Sequence, residues 1–320
     1  MKRKVLLIIT SFVFLILTFA PIQLFSQEYK WFKGNTHTHT INSDGDSPPR
    51  VVVRWYRDHG YNFLMITDHN FVTEIKYIDT DKNDDFILIY GEEVTDSYKK
   101  TPVHLNCFGT GVYVSPQKGN SVIETLQRNI DAIRKAGGVP QINHPNWHWA
   151  FNDNEMKVLK NCKLFEIFNP GCNYFGGLDT PSMEKVWDSI LTAGVVMYGM
   201  AVDDMHKLAT DTGKGWVMVK AKELTTEAIL NALENGQFYA SNGVTIDEWN
   251  VTPEKYEIKI KGKSDWKYVT RFIGEGGKLL KKDGSLNPVY RFNGTEKYVR
   301  AVVMDSNGNF AWLQPYFIKK

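Results

Sequence analysis

The sequence predicts an α/β protein, with a parallel sheet covered by helices, on the strength of three observations. Short apolar runs alternate with amphipathic segments between residues 29 and 243, which is the pattern of strands joined by helices. Histidine, aspartate and glutamate recur directly after those apolar runs. In barrels built from alternating strands and helices, the functional site lies at these strand ends. From residue 248 onward, apolar runs are separated by Gly, Asn and Asp turns without an intervening amphipathic segment. About seven strand–helix units therefore predict a distorted (β/α)7 barrel over residues 29–243, followed by a small all-β region over residues 248–320.

The predicted elements begin with a strand at 31–36. A helix then runs from Ser47, its cap, to about His59, with prolines in its first turn and Gly60 at its end. Further strands are predicted at 63–66, 86–90, 103–108, 139–143, 164–168, 195–202 and 216–219, and further helices at 121–136, 155–160, 181–193 and 226–235. In the all-β region, strands are predicted at 256–260, 268–273, 298–304 and 310–317.

The composition predicts a folded protein without a nucleic-acid partner. Apolar residues make up 42% and charged residues 23% of the 320 positions, which is enough for a sizeable core. Without Lys2, Arg3 and Lys4, the 38 basic residues fall to 35 against 36 acidic ones, so the net charge changes from +2 to −1. The folded part therefore has no basic excess, and no nucleic-acid footprint is expected.

Residues 1–26 have the pattern of a secretory signal. A short basic start precedes an apolar run at 5–19, and Ser26 is a small residue suited to the last position before cleavage. Pro21 and Gln23 interrupt the apolar run before it is long enough for a full membrane span. We therefore expect export, to the periplasm or as a secreted protein, with no stable membrane span after cleavage. An uncleaved membrane anchor is the alternative.

The three cysteines, Cys107, Cys162 and Cys172, do not define a disulfide framework. They are odd in number and widely spaced, without a C-x-x-C motif. A bridge between Cys162 and Cys172 is one alternative outside the cytoplasm. Buried free thiols are the other.

Six of the eight histidines lie at or beside predicted strand ends, and this clustering favours metal binding. His37 and His39 are two positions apart, so in a strand both imidazoles leave the same face. The remaining candidate ligands are His69, His104, His144 and His206, with Asp44, Glu93 and Asp204 as acidic partners. A single histidine is more often a structural or surface residue, but six at one rim are far less expected by chance. His59 is assigned to a helix end, where a positive charge suits the helix dipole.

Three acidic positions leave alternatives open. Glu92 and Glu93 are adjacent, so in a strand only one of the two faces the site. Asp203 and Asp204 pose the same choice, and Asp204 is the better candidate because it shares a face with the histidine two positions later. Asp68 is a candidate to orient the imidazole that follows it.

In their order along the chain, these motifs resemble those of the PHP (polymerase and histidinol phosphatase) metallohydrolases. The matching stretches are His37-x-His39 with Ser43-Asp44-Gly45, Ile66-Thr67-Asp68-His69-Asn70, Gly91-Glu92-Glu93-Val94, His104 in Val-His-Leu, Asn143-His144-Pro145 and Asp204-x-His206. The segment 31–70 looks most like the exported branch known as CehA/McbA-type metallohydrolases. The resemblance covers residues 31–243 and assigns no chemistry to the β-rich tail.

The resemblance implies a distorted seven-stranded βα barrel with two or three divalent metal ions. It implies a first metal held by His37, His39, Glu93 and Asp204, a second held by Glu93, His104 and His144, and a third held by Asp44, His69 and His206. Glu93 would bridge the first two ions. Many relatives have histidine where this chain has Asp44, and a carboxylate there shifts the third site toward oxygen-preferring metals such as Mn or Fe.

The chemistry of these residue types agrees with that expectation. Mixed imidazole and carboxylate ligation suits Zn, Mn or Fe better than Ca or Mg. Two close ions lower the pKa of a bridging water to roughly 7, which provides hydroxide at neutral pH and neutralises charge on a reacting phosphate. His206 or Asp204 is a candidate to pass a proton to the leaving oxygen.

Five further residues are candidate substrate contacts. Arg50, Lys207 and Lys214 are basic residues near the expected rim that could hold a phosphate, although solvated surface positions are the alternative for each. Asn70 follows a candidate ligand directly. His148 lies in an aromatic loop, where it either contacts substrate or packs.

The leading functional prediction is an exported metal-dependent phosphoesterase that acts on a small phosphorylated molecule. The first alternative is hydrolysis of carbamate, ester or amide bonds on the same cluster, because the same activated water can attack a carbonyl carbon. The second alternative is a non-catalytic binding module in which metal ions hold the loops together. A nuclease role, known in PHP relatives, fits poorly with a near-neutral chain.

Overall fold

The computed structural model describes residues 28–78, 85–172 and 182–318, and it confirms the predicted α/β class. The strands are β1 (Lys30–Asn35), β2 (Phe63–Ile66), β3 (Ile87–Tyr98), β4 (Thr101–Phe108), β5 (Val139–Ile142), β6 (Leu164–Phe168), β7 (Tyr198–Ala201), β8 (Trp216–Ala221), β9 (Phe238–Ser241), β10 (Ile246–Val251), β11 (Lys255–Ile260), β12 (Tyr268–Gly274), β13 (Lys278–Asp283), β14 (Val289–Arg291), β15 (Tyr298–Asp305) and β16 (Phe310–Phe317). The helices are α1 (Pro49–Asp58), α2 (Val122–Lys135), α3 (Asp153–Met156), α4 (Met183–Thr192), α5 (Leu208–Asp211) and α6 (Thr226–Glu234). The predicted signal at residues 1–26 and the predicted helix start at residue 181 lie outside the described residues.

Side-chain caps fix where most of the longer helices begin. Ser121, Ser182 and Thr225 each accept a hydrogen bond from a backbone N–H in the first turn of α2, α4 and α6. The expectation that Ser47 caps α1 was wrong. The helix begins at Pro49, and the Ser47 hydroxyl donates to a neighbouring aspartate instead.

Thirteen strands form one mixed sheet within the described residues. Their spatial order is β13-β12-β15-β16-β9-β8-β1-β2-β3-β4-β5-β6-β7. The pairs β1–β2, β2–β3, β5–β6 and β6–β7 are parallel, as expected for strand–helix units. The strand pairs β3–β4, β4–β5, β1–β8 and β8–β9 are antiparallel. The carboxyl ends of the parallel strands nevertheless meet on one edge, where the candidate site lies.

The predicted (β/α)7 barrel is not what the described residues form, because the sheet is not closed. Closure would need β7 to pair with β9, but β9 has β8 on one side and β16 on the other. The side chain of Gln314, on β16, instead covers the open edge of β7. Its Oε1 accepts from the Gly199 N–H at 3.0 Å, and its Nε2 donates to the Gly199 carbonyl at 2.9 Å. A side-chain amide thus replaces the two backbone hydrogen bonds that a closing strand would make.

The β-rich C-terminal residues pack closely against the rest of the chain. Arg300, on β15, is fully buried and binds both carboxylate oxygens of Asp188 on α4 at 2.7 Å. Trp312, on β16, stacks on Phe168 at a ring separation of 5.5 Å. A separate three-stranded sheet, β10-β11-β14, completes this region. The boundary predicted near residue 248 stays a prediction, since β16 continues the sheet of the preceding residues.

Two further observations concern the cysteines and the helices. Cys107, Cys162 and Cys172 are buried free thiols, so the alternative of a Cys162–Cys172 bridge was wrong. Within residues 28–78, 85–172 and 182–318, no helix is both long and apolar enough to cross a membrane.

Candidate metal centre

The nine predicted ligand residues come together at one edge of the sheet. Seven of them follow strand ends, and two, Glu93 and His104, lie within strands. His37 and His39 follow β1, and their segment pairs with the segment after β7 through a bridge between Thr38 and Met205. His69 follows β2 and pairs with Glu93 of β3 through a second bridge. The remaining residues are Asp44 in the turn after His39, His104 on β4, His144 after β5, and Asp204 and His206 after β7.

Four of these residues form the buried centre of the cluster. The Nε2 atoms of His37 and His39 lie 3.1 Å apart. Glu93 Oε2 lies 3.3 Å from each of these nitrogens. Asp204 Oδ1 lies 3.1 Å from the first nitrogen and 3.2 Å from the second. Glu93 Oε2 and Asp204 Oδ1 therefore each form a compact triangle with the same two imidazole nitrogens.

These triangles fit a divalent metal ion. A tetrahedral ion with donors at about 2.0–2.1 Å requires edges of about 3.3–3.4 Å between donor atoms, close to the distances observed. Glu93 Oε2 and Asp204 Oδ1 are also buried and accept no well-aligned hydrogen bond. The groups that face them are imidazole nitrogens, including His69 Nδ1 at 2.9 Å from Glu93 Oε2. Unpartnered buried carboxylate oxygens are costly unless a cation satisfies them. The donor set of two imidazoles and two carboxylates is also one that zinc, manganese and iron accept.

The other oxygen of Glu93 faces a second set of donors. Glu93 Oε1 lies 3.1 Å from His104 Nδ1 and 3.3 Å from His144 Nε2. It also accepts a hydrogen bond from Asn143 Nδ2 at 2.9 Å. Because its two oxygens face different imidazoles, Glu93 is placed to bridge two ions.

Asp44 organises the more exposed side of the cluster. Its Oδ2 lies 3.5 Å from His69 Nε2 and 3.4 Å from His206 Nε2, and its Oδ1 lies 3.5 Å from His39 Nδ1. The side chain of Asp44 is 54% exposed, in contrast to the fully buried Glu93. His206 Nδ1 donates to the Asp204 carbonyl at 2.9 Å, which leaves Nε2 facing Asp44.

The grouping differs in detail from the one that the resemblance implies. The sets whose donor atoms lie near one another are His39, Asp44, His69 and His206; His37, His39 and Glu93; His37, His144 and Asp204; and His69, Glu93 and His104. His39 thus adjoins the Asp44 group, and His69 adjoins Glu93. The grouping differs because Glu93 and His39 lie at the centre of the cluster. Each of the two residues faces one set of donors with one side-chain atom and a second set with another atom.

Glu166, in the middle of β6, supports the cluster and was not predicted as a site residue. Its Oε1 accepts from His37 Nδ1 at 2.6 Å and from Gln141 Nε2 at 3.0 Å. Its Oε2 accepts from the His144 backbone N–H at 2.9 Å and from Asn169 Nδ2 at 3.0 Å. A carboxylate can only accept, so His37 carries a proton on Nδ1, and Nε2 is the nitrogen left to bind a cation. The available sequence signal was a charged residue inside the buried run Leu164–Phe168.

Electrostatics in the cluster set the charges that a cation would meet. Burial alone would lower the pKa of His37, but the carboxylates of Asp204, Glu93 and Glu166 raise it well above its usual value. Burial would raise the pKa of Glu93, but His37 and His104 hold it well below its usual value. Glu93 is therefore ionised, and an entering divalent cation would take the place of a proton on His37.

The structure resolves the three acidic alternatives. Glu93 faces the cluster, whereas Glu92 points to the opposite face of β3 and accepts from the Val114 N–H. Asp204 faces the cluster, whereas Asp203 is buried and accepts from the Tyr56 hydroxyl and the backbone N–H groups of 213–215. Asp68 binds the Thr40 and Thr73 hydroxyls and the Ser43 hydroxyl rather than an imidazole.

Three of the eight described non-glycine residues with positive φ angles lie at or beside the cluster. The φ angles of Asp204, His144 and Asn70 are positive, at 49°, 24° and 48°. Residues other than glycine rarely adopt such angles. Such conformations persist where surrounding contacts enforce them, and they are typical of functional sites. For Asn70 those contacts are reciprocal hydrogen bonds with the Thr95 backbone on β3.

A cavity of about 670 Å³ opens onto the cluster. It is lined by seven of the nine candidate ligands and by Trp147, Pro170, Gly171, Cys172, Asp203, Thr210, Asp211 and Lys214. Of the five predicted substrate contacts, Lys214 lines this cavity. His148 lines a neighbouring cavity, while Arg50, Asn70 and Lys207 are in neither set of described lining residues.

Comparison with known proteins identifies the fold. No family model matches the chain, and no curated protein matches it. The solved structure of a two-domain protein from Bacteroides vulgatus, containing a predicted PHP-like metal-dependent phosphoesterase, aligns with a TM-score of 0.51 at 17% identity, covering 86% of this chain and 90% of the other. The present chain shares the fold of that protein.

Two weaker similarities accompany this match. A candidate metal-dependent phosphoesterase from Bifidobacterium adolescentis aligns with a TM-score of 0.39 at 15% identity, covering 54% of this chain and 87% of the other. An amidohydrolase from Chromobacterium violaceum, with bound sulfate and no metal, aligns with a TM-score of 0.41 at 15% identity, covering 56% and 89%.

Proposed function

We propose that the protein is a metal-dependent hydrolase of the PHP superfamily, and that it acts as a phosphoesterase on a small phosphorylated substrate. The observation that carries this proposal is the pair of donor triangles around His37 and His39, with two buried carboxylate oxygens that accept no well-aligned hydrogen bond. The shared fold with a protein containing a PHP-like phosphoesterase supports it.

We assign the metal ligands to the nine clustered residues. His37, His39, Glu93 and Asp204 would hold one ion, and Glu93 with His104 and His144 a second. Asp44, His69 and His206 would hold a third. Zinc, manganese or iron bound there would supply Lewis acidity, lowering the pKa of water and neutralising the charge that develops on the reacting group.

The residues of the chain itself have three tasks in this proposal. Glu166 fixes the His37 ring with its lone pair toward the ion. Lys214, on the cavity wall, attracts the anionic end of the substrate. When only the first two ions are bound and Nε2 is not a metal ligand, His206 is placed to pass a proton from Nε2 to the leaving oxygen, since it is 34% exposed and held through Nδ1 by the Asp204 carbonyl.

Carbamate, ester or amide hydrolysis is the second candidate function. The charge of the cavity wall favours it. Among the described lining residues, one lysine faces five carboxylates, those of Asp44, Glu93, Asp203, Asp204 and Asp211. A neutral carbonyl substrate needs fewer cationic contacts than a phosphate does. Inhibition by inorganic phosphate would favour the first function, and indifference to phosphate the second.

The test uses metal-free protein reloaded with zinc, manganese or iron. Reloaded protein is offered phosphomonoesters, phosphodiesters, and aryl carbamates and esters. Phosphoester turnover that is lost in both His37→Ala and Glu93→Ala, but kept in His59→Ala, is the expected result. The His59 ring stacks on Trp55 away from the cluster, so its loss is a matched control. Full metal occupancy without turnover of any substrate would instead favour a non-catalytic binding module.

The location of the protein is part of the proposal. We infer export to the periplasm or beyond, through a signal at residues 1–26, and membership of the CehA/McbA-type branch. We also propose a division into a metallohydrolase domain at 29–243 and a β-rich domain at 248–320. Intact mass of the mature protein from cell fractions tests the first point, because a cleaved signal leaves a chain that begins near residue 27.

A further inference from the structure

A second cavity, of about 540 Å³, lies beside the candidate metal centre. His104 and Trp147 line both cavities. His104 is a candidate metal ligand, 3.1 Å from Glu93 Oε1. A group that fills the second cavity therefore lies next to the reacting end of a substrate held at the metal centre.

The charge of the second cavity is the reverse of the first. Lys100 and Lys118 line it, and both side chains are exposed. Among the described residues, neither ammonium group has an ion-pair partner. The one carboxylate in the lining, Asp96, is 6% exposed, and its oxygens already accept from the Ser97 N–H and Asn129 Nδ2. Two exposed positive charges thus stand against one buried carboxylate, so the net charge that the wall offers to a ligand is positive.

The wall shared by the two cavities is aromatic. The Trp147 ring lies 5.3 Å from the His104 ring and 5.3 Å from the His144 ring, measured between centroids. Both imidazoles are candidate ligands, so the indole is held against the metal centre. A flat group that crosses from one cavity to the other can pack on this indole.

We propose that the second cavity binds the distal part of the substrate, and that this part carries a second anionic group on a planar spacer. Lys100 and Lys118 attract the anion, and Trp147 packs against the spacer. This inference rests on the proposed function, because it assumes that the reacting end of the substrate binds at the metal centre. It specifies the substrate class as a bifunctional anion rather than a simple phosphoester.

The test compares the binding of three phosphonates, which are not cleaved and which resemble a phosphoester substrate or the tetrahedral intermediate of carbonyl hydrolysis. Calorimetry on the zinc-loaded full chain measures phenylphosphonate against its 3- and 4-carboxylated forms. Two exposed lysines are expected to make one carboxylated form bind about three- to tenfold more tightly. The preference is expected to disappear in the double variant Lys100→Met/Lys118→Met and to weaken at high salt.

A charge-matched control separates the cavity from general electrostatics. Lys135 and Lys160 are exposed and outside both described cavity linings, so Lys135→Met/Lys160→Met removes the same charge elsewhere. This control should keep the preference. The inference is overturned if the wild type shows no preference, if the first double variant retains it, or if no phosphonate binds.

The subsite and the proposed function fail in different ways. Phosphoester turnover without a carboxylate preference rejects the subsite alone. A lysine-dependent preference without phosphoester turnover keeps the subsite and rejects the phosphoesterase proposal.

Discussion

Replacing Glu166 with glutamine perturbs the cluster without replacing a proposed ligand. The wild-type carboxylate accepts four hydrogen bonds, from His37 Nδ1, Gln141 Nε2, the His144 N–H and Asn169 Nδ2. Glutamine has nearly the same shape, but one of its two ends is an NH₂ group that cannot accept. Whichever way the amide is turned, two donors that faced an oxygen now face another donor.

The size of the effect follows from that count. Each hydrogen bond to a charged group contributes about 1.5–3 kcal/mol, so two lost bonds give an upper limit of about 3–6 kcal/mol. Relaxation of the amide side chains of Gln141 and Asn169 reduces the loss. His37 also loses the carboxylate that fixes its ring and raises the electron density on Nε2. Losses of such supporting partners weaken metal binding about 10- to 100-fold, and we expect a value in that range for Glu166→Gln.

The assay is competition for zinc with a chromophoric chelator, run on wild type and variant at one pH. Glu92→Gln is the matched control, because Glu92 is a buried glutamate on the opposite face of β3. The control should bind zinc as the wild type does. Unchanged zinc affinity in Glu166→Gln would refute the reasoning, because His37 would then be oriented by something other than Glu166.

Three further predictions concern stability. Arg300→Met should lower the free energy of unfolding by about 3–5 kcal/mol, because it leaves Asp188 buried without its cation. Urea denaturation measures this loss, and a loss under about 1 kcal/mol would contradict the prediction. Gln314→Leu should lower the free energy of unfolding by about 2–4 kcal/mol, because the backbone N–H and carbonyl of Gly199 lose their hydrogen-bond partners. Faster hydrogen exchange of backbone amides at the edge of β7 would show this loss. Burial lowers the pKa of Lys33 to about 8 from 10.5, so Lys33→Met should be more stable than wild type at pH 7. Melting temperatures should converge as pH rises from about 8 to 10.5, and a constant difference would count against this.

Local sequence patterns predicted most of the elements because their causes are local. The strands Phe63–Ile66, Leu164–Phe168 and Phe310–Phe317 have the predicted bounds, since apolar runs between turn residues determine them. The short strands Lys278–Asp283 and Val289–Arg291 were missed because few of their side chains are buried, which leaves little apolar pattern to detect.

The open sheet could not be predicted because its cause is not local. Whether β7 or β16 pairs with β9 depends on residues more than seventy positions apart in sequence, including the contact between Gln314 and Gly199. Nothing in the strand–helix alternation distinguishes a closed barrel from a sheet whose edge is covered by a side chain.

In the candidate site, too, local features could be predicted from the sequence and contacts between distant residues could not. His37 and His39 share one side of the extended segment after β1, as their spacing predicts. Strand ends gather the remaining imidazoles except His104, which lies within β4. The choice of Glu93 over Glu92 needed the register of β3 with its neighbours. The support that Glu166 gives to His37 joins residues 129 positions apart, so it could be seen only in three dimensions.

The most direct test of the metal centre is to locate the ions themselves. Crystals of the metal-loaded protein, measured at the zinc, manganese and iron absorption edges, would give anomalous peaks for each bound metal. We expect two or three peaks, with Glu93 between two of them and His37, His39 and Asp204 around one. Peaks that lie away from these side chains, or a cluster that binds no metal at full loading, would contradict the proposed metal centre.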